Sequence, residues 1–145
     1  MNITIQSLGV IHSPYQDAKD IPRQGVLKPK AEGRVEVYEP YCEGLEGLDQ
    51  FSHAVLIFYF HESENEKLRG TPPGADKSRG VFAIRGPHRP NHLGLSVVEI
   101  LRLTQDGFVF SGVDMLDGTP LVDIKPYVGG LDPQNSRGPS FQGRH

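Results

Sequence analysis

Leu95-Ser-Val-Val-Glu-Ile-Leu-Arg-Leu-Thr-Gln-Asp-Gly-Phe-Val-Phe-Ser-Gly-Val-Asp-Met115 decides the fold. Two β-branched and apolar runs, Leu95–Leu103 and Phe108–Met115, flank Gln105-Asp-Gly107, a turn that suits a β-hairpin. Upstream, Ala54-Val-Leu-Ile-Phe-Tyr-Phe60 is a continuous apolar run without helix caps. Its length and aromatic content predict a strand buried on both faces. Downstream, Asp117-Gly118 turns the chain into a further strand over Pro120–Ile124.

The same reading extends to both ends. Ile3–Ile11 is predicted as a first strand ending at His12-Ser13-Pro14, Arg34–Tyr38 as a short half-buried strand, and Val81–Arg85 as another. Asp17–Lys30 is polar with two prolines and reads as a loop, and Glu43–Asp49 as a turn or one helical turn. Glu62–Arg69 has the length of a short helix stopped by Gly70, Pro72 and Pro73. About seven strands with no strand–helix alternation disfavour a parallel doubly wound sheet. The expected fold is all-β in the main, a single-sheeted, mostly antiparallel β-barrel with short helical turns, since closure removes sheet edges. Residues 1–128 form this one domain, and the Gly-, Pro-, Asn- and Ser-rich stretch 129–145 is its C-terminal tail.

Bulk properties narrow the function classes. The chain has 145 residues, enough for one core without staples. Its single cysteine, Cys42, excludes an internal disulfide and a cysteine-based zinc site. No secretory signal and no apolar run of roughly 20 residues is visible, so a soluble cytoplasmic protein is expected. The net charge of −3 runs against a nucleic-acid partner. Locally the balance reverses: Arg69, Lys77, Arg79, Arg85 and Arg89 share a stretch in which Asp76 is the only acid. A solvated loop face would look the same.

Two segments carry candidate chemistry. Arg85-Gly-Pro-His-Arg-Pro-Asn91 leaves a strand into a loop whose prolines fix the backbone, lowering the entropy cost of presenting its arginines. A guanidinium there suits a carboxylate or phosphate. The second segment surrounds Asp117-Gly-Thr-Pro120, with Asp114 and Asp123 nearby. Asp117 is expected to hydrogen-bond turn backbone, and Asp123 and Lys125 to pair across one strand face. A shared metal is disfavoured: His53 and His61 would lie roughly 26 Å apart on one strand, and Pro90 interrupts His88 and His92. Dinucleotide, Walker and nucleophile-elbow patterns are absent. What remains is a reaction that needs alignment more than a nucleophile, and methyl transfer is one such reaction.

At these residues the sequence resembles the TrmO, or TsaA-like, family. The similarity runs in order through Leu8–Pro14, Pro22–Gln24, Leu48–His53, Phe60-His61, Gly80–Arg85, Arg89–Asn91, Gly94–Val98 and Asp117–Tyr127. The resemblance implies a homodimer that binds S-adenosylmethionine near the subunit interface. It also implies N6-methylation of threonylcarbamoyladenosine beside the anticodon of tRNA. Cofactor contacts carry over to Gln24, Gly25, Val26, His61, Glu62, Arg85, Leu95, Met115, Leu116, Asp117 and Gly118. Substrate contacts fall on Arg89, Asn91 and Lys125. His61, Asp114 and Asp117 are candidates for receiving the proton. Arg85 has two candidate partners, the cofactor carboxylate and a tRNA phosphate. Three positions depart from the family pattern: Ile84 for threonine, Gly86 for serine and His92 for proline. A methyltransferase for another RNA or a small molecule, or a non-catalytic S-adenosylmethionine-binding protein, would keep the same pocket.

Overall fold

The structure, a computed structural model, describes residues 1–21 and 31–131. Six strands close into an antiparallel barrel: β1 (Gly9–His12), β2 (Glu32–Val37), β3 (His53–Tyr59), β6 (Leu93–Thr104), β7 (Gly107–Ser111) and β8 (Thr119–Pro126). Their order around the barrel is β1-β2-β7-β6-β3-β8, and β8 returns to pair with β1. A separate pair, β4 (Arg69–Gly70) with β5 (Arg79–Gly80), forms a small hairpin outside it. The expected barrel with short helical turns is therefore the observed architecture.

A barrel this narrow has no lumen; side chains fill it. Ile11, Val35, Leu56, Phe58, Val98, Phe108, Phe110, Val113 and Leu121 are its fully buried side chains. The β6–β7 hairpin turns on Gln105-Asp106, as its sequence predicts. Glycine at 107 is required, because a Cβ there would overlap the Val35 carbonyl oxygen of the neighbouring β2.

Several elements differ from expectation. The first strand begins at Gly9, where both Val37 and Leu121 stand in register with it. Ile3 and Ile5 are exposed, since β-branched residues without a partner strand gain nothing from extension. β3 is not buried on both faces but alternates, with Ala54, Leu56 and Phe58 inward and His53, Val55, Ile57 and Tyr59 outward. It is β7 that is buried throughout Gly107–Phe110. Its outward Val109 stands in register between Arg34 and Arg102, whose aliphatic stems are long enough to cover it. Glu62–Arg69 forms no helix: a run of glutamates without an apolar face cannot offset helix nucleation. Val81–Arg85 is not a strand; Val81–Ala83 is a 3₁₀ turn following the two-residue β5.

Antiparallel pairing sorts the connections between the two ends. One rim receives the crossovers 13–31, 60–92 and 112–118. The other receives only the 105–106 turn and the segment 38–52, with 3₁₀ turns at Glu39–Leu45 and Leu48–Gln50. Both chemistry-bearing segments of the sequence thus emerge at the same rim.

Candidate active site

The 112–118 crossover is anchored from below and from the side. Gly112 has φ 88° and ends β7; Val113 and Met115 then bury their side chains in the core while Asp114, between them, stays half-buried. Ser96 Oγ, almost fully buried on β6, donates to Asp114 Oδ1 at 2.8 Å. The turn beyond is clamped onto the end of β1. Asp117 N donates to Tyr15 O at 2.8 Å and Gly118 N to Ile11 O at 2.9 Å. Ser13 N in return donates to Asp117 Oδ1 at 2.9 Å. Gly118 has φ 83°, a left-handed backbone that favours glycine, and Thr119 Oγ1 closes the turn by donating to Leu116 O at 2.6 Å.

Asp117 is therefore a clasp between crossovers rather than a turn aspartate bonding chiefly to its own backbone. The Ser13 backbone N–H holds its carboxyl below the ordinary value; partial burial opposes this, and Gln16, His12 and Gly118 add to the lowering. His12 links onward, with Nε2 2.7 Å from Glu36 Oε1 and Nδ1 3.9 Å from Asp117 Oδ1.

The Arg85–Asn91 loop is braced by its own second arginine. Arg89 Nη1 donates to Ile84 O at 2.6 Å and reaches Gly86 O at 3.4 Å. The ring Nδ1 of His92 lies 3.0 Å from Pro87 O, and Phe60 N donates to His92 O at 2.8 Å. Asn91 and His92 both adopt left-handed backbone, at φ 65° and 50°, which non-glycine residues hold only under tertiary constraint. Among the described residues Arg85 is exposed and meets no carboxylate. The two arginines differ: Arg89 shapes the loop, whereas Arg85 is exposed to solvent.

His61 and Glu62 follow the end of β3 at this rim, with His61 Nε2 3.7 Å from Glu62 Oε1. His61 is half-buried, whereas Glu62 is exposed. Leu95 lies two residues into β6 on its outer face, in register with Ile57. The rim thus gathers His61, Glu62, Arg85, Arg89, Asn91, Asp114 and Met115–Gly118, with Leu95 just below it. Lys125 stands apart, because six strand residues separate it from Thr119, about 20 Å toward the other end. It pairs with Asp123 at 3.4 Å, so its expected substrate contact does not join this group. Gln24, Gly25 and Val26 lie outside the described residues, within the 13–31 crossover.

Ser13 and Ser96 were not singled out from sequence. Ser96 had a signal: counting by two from Val98 places its hydroxyl on the buried face, where it needs a partner. Ser13 acts through its backbone N–H, which no side-chain pattern reveals.

A groove of about 700 Å³ opens at the opposite rim, between Leu8, Tyr41, Leu45, Phe51 and Ile124. Its charged lining is Glu43, Glu46 and Asp123, with no cation among the described lining residues. Such a groove offers nothing to a carboxylate or phosphate. The loops at the first rim, not this groove, are the candidate site.

Comparison with known proteins identifies the family. Residues 10–133 match the family described as tRNA-methyltransferase O N-terminal domain. A probable S-adenosyl-L-methionine-binding protein of Pyrococcus abyssi is 42% identical over 130 residues, covering 90% of this chain and 71% of that protein. The Escherichia coli tRNA (adenine(37)-N6)-methyltransferase is 38% identical over 133 residues, covering 85% of this chain and 57% of that one. The crystal structure of TrmO from Pseudomonas aeruginosa superposes with a TM-score of 0.81 at 40% identity, covering 94% of this chain and 61% of that chain. This chain thus spans little more than half the length of the last two.

Proposed function

The chain belongs to the tRNA-methyltransferase O N-terminal domain family, and from that membership and the rim geometry we propose that it methylates N6 of an adenine in tRNA using S-adenosylmethionine. The specific substrate in this reading is threonylcarbamoyladenosine beside the anticodon, modified in the cytoplasm. The observation that carries it is the convergence of the Arg85–Asn91 loop and the Met115–Gly118 turn at one rim, each braced from within.

The residues present fit the cofactor. Its carboxylate needs a free guanidinium, which Arg85 provides; Leu95 and Leu116 offer apolar surface for an adenine ring, and the exposed Glu62 offers acceptors for an amino group or ribose hydroxyls. The backbone of Asp117-Gly118 can be approached closely because Gly118 has no Cβ. When bound, the cofactor supplies an electrophilic sulfonium methyl group. The protein's contribution is alignment, which can supply ~7–11 kcal/mol of a barrier. Asn91, exposed on the left-handed turn, is the loop residue we assign to the substrate.

A base must take the N6 proton. Asp117 is committed to Ser13 N–H and held as a weak base, and Asp114 accepts from Ser96. His61 meets only Glu62, at 3.7 Å, among the described residues, so we assign the proton to its imidazole. His61→Asn is expected to slow single-turnover methylation by about 10²- to 10⁴-fold.

A homodimer completes the reading. The outer faces of β3 and β6 expose Val55, Ile57, Tyr59, Leu95 and Val97 as adjoining cross-strand neighbours. A continuous apolar face of this kind is what a second copy would cover, and Leu95 belongs to both it and the site.

Methyl transfer from labelled cofactor to bulk tRNA, with and without the threonylcarbamoyl group, tests the proposal. Incorporation that depends on the modification is expected. No incorporation into either pool would overturn the activity, and equal incorporation would overturn the substrate.

A further inference from the structure

Phe82 is 84% exposed, in a segment whose charged residues are nearly all cations. An aromatic ring so placed gives up hydrophobic free energy in the free protein. Its position is not the accident of a loose loop. Val81, beside it, is buried, Val81 N donates to Leu68 O at 2.9 Å, and Ile84 N donates to Val81 O at 3.1 Å. Arg89 then holds Ile84 O from the other side. A single 3₁₀ turn, fixed at both ends, presents the ring to solvent.

Cations surround it. Between residues 67 and 92 the chain carries Lys67, Arg69, Lys77, Arg79, Arg85 and Arg89 against one acid, Asp76, although the whole protein has a net charge of −3. Arg69 is used internally, bracing the β4–β5 hairpin through Ser78. Arg79 and Arg85, three residues to either side of Phe82, meet no carboxylate among the described residues. An exposed aromatic face with a guanidinium three residues away, that of Arg79, which the cofactor does not claim, is chemically matched to a nucleotide, the base stacking on the ring and a phosphate meeting the arginine.

We infer that Phe82 is a stacking platform for an unpaired nucleobase of the RNA, with Arg79 near it in sequence to meet a phosphate. The inference rests on the RNA substrate proposed above and deepens it, by naming the residue that takes a splayed base. A subunit contact is the competing occupant, but the apolar outer face of β3 and β6 already has that character. Phe82 instead sits in a stretch that carries six cations against one acid, which suits a polyanion.

The chain has no tryptophan, so Phe82→Trp installs a single indole reporter at the site. Titrating this variant with a synthetic tRNA anticodon stem-loop is expected to quench its emission, while a fully paired RNA duplex leaves it unchanged. In steady-state methylation, Phe82→Ala is expected to raise KM for tRNA on the order of tenfold. Its Kd for S-adenosylmethionine should stay at the wild-type value, since the exposed ring supports neither core nor cofactor. An unquenched indole in a variant that still methylates tRNA, or an unchanged KM in Phe82→Ala, would overturn the inference. So would a shift of Phe82→Ala to a smaller species in sedimentation, which would give the ring to a second copy. Quenching by the stem-loop without methyl transfer in wild type would keep the platform and remove the proposed reaction instead.

Discussion

Ser96 Oγ donates a 2.8 Å hydrogen bond to Asp114 Oδ1, joining the inner face of β6 to the crossover that carries Met115–Gly118. Thr119, the other buried serine or threonine among the described residues, closes the same crossover onto Leu116 O. These two hydroxyls thus serve one loop. Ser96→Ala removes a donor from a half-buried carboxylate and is expected to cost about 1–3 kcal/mol. Calorimetric unfolding and cofactor titration should both register it, as a lower Tm and a weaker Kd. An unchanged Kd with a lowered Tm would show the bond to be structural only.

The arginine pair predicts a separation of effects. Arg85 is exposed without a carboxylate partner, so Arg85→Ala should leave Tm unchanged and weaken cofactor binding by roughly 10- to 100-fold, the worth of a charge-assisted hydrogen bond. Arg89→Ala strips the donor from Ile84 O and should lower Tm as well as affinity. Thermal unfolding beside titration distinguishes the two variants. Identical behaviour would remove the division of labour.

Asp117 predicts an acid dependence. Its carboxyl titrates below its ordinary value in the folded protein because of the Ser13 N–H. A depressed folded value means the stabilising contribution is complete above the unfolded value, ~3.9, and is lost as pH falls through the lower folded one. Stability should therefore decline below about pH 4, and Asp117→Asn should flatten that limb and lower neutral-pH stability, because the contribution the ionised carboxylate makes there is lost. Urea unfolding at stepped pH measures it.

The outer face of β3 and β6 predicts the assembly. Val97, in register with Val55, is among its exposed apolar positions. Val97→Arg should convert a dimer to monomers in sedimentation equilibrium and reduce cofactor affinity through loss of the covered Leu95 surface. A wild-type monomer, or a dimer indifferent to this change, would place the subunit contact elsewhere.

Strands with local reasons to form were legible in advance. The Leu95–Met115 stretch carried its own turn and its own alternation, and the hairpin lies where those put it. Elements that depend on partners are not legible in this way. Ile3–Ser7 looks like a strand and is not, because backbone pairing starts at Leu8, whose N donates to Leu121 O; Val81–Arg85 has strand residues but only a two-residue neighbour to pair with. β3 has the composition of a strand buried on both faces, yet its outward residues face away from the barrel core.

The site divides the same way. Sequence by itself determined which segments carry chemistry: proline-fixed arginines at 85–91 and the Asp-Gly turn at 117–118 are visible as residue types in order. It could not assign work within them. Arg85 and Arg89 are the same amino acid four positions apart, and only the folded chain turns one onto Ile84 O and leaves the other free. Lys125 and Gly118 are seven residues apart in one motif, yet the extended β8 carries them toward opposite rims. Short-range chemistry is written residue by residue and can be read that way. Register, closure and the choice of hydrogen-bond partner arise from contacts across more than a hundred residues, as between Ser13 and Asp117. Those only the tertiary structure decides.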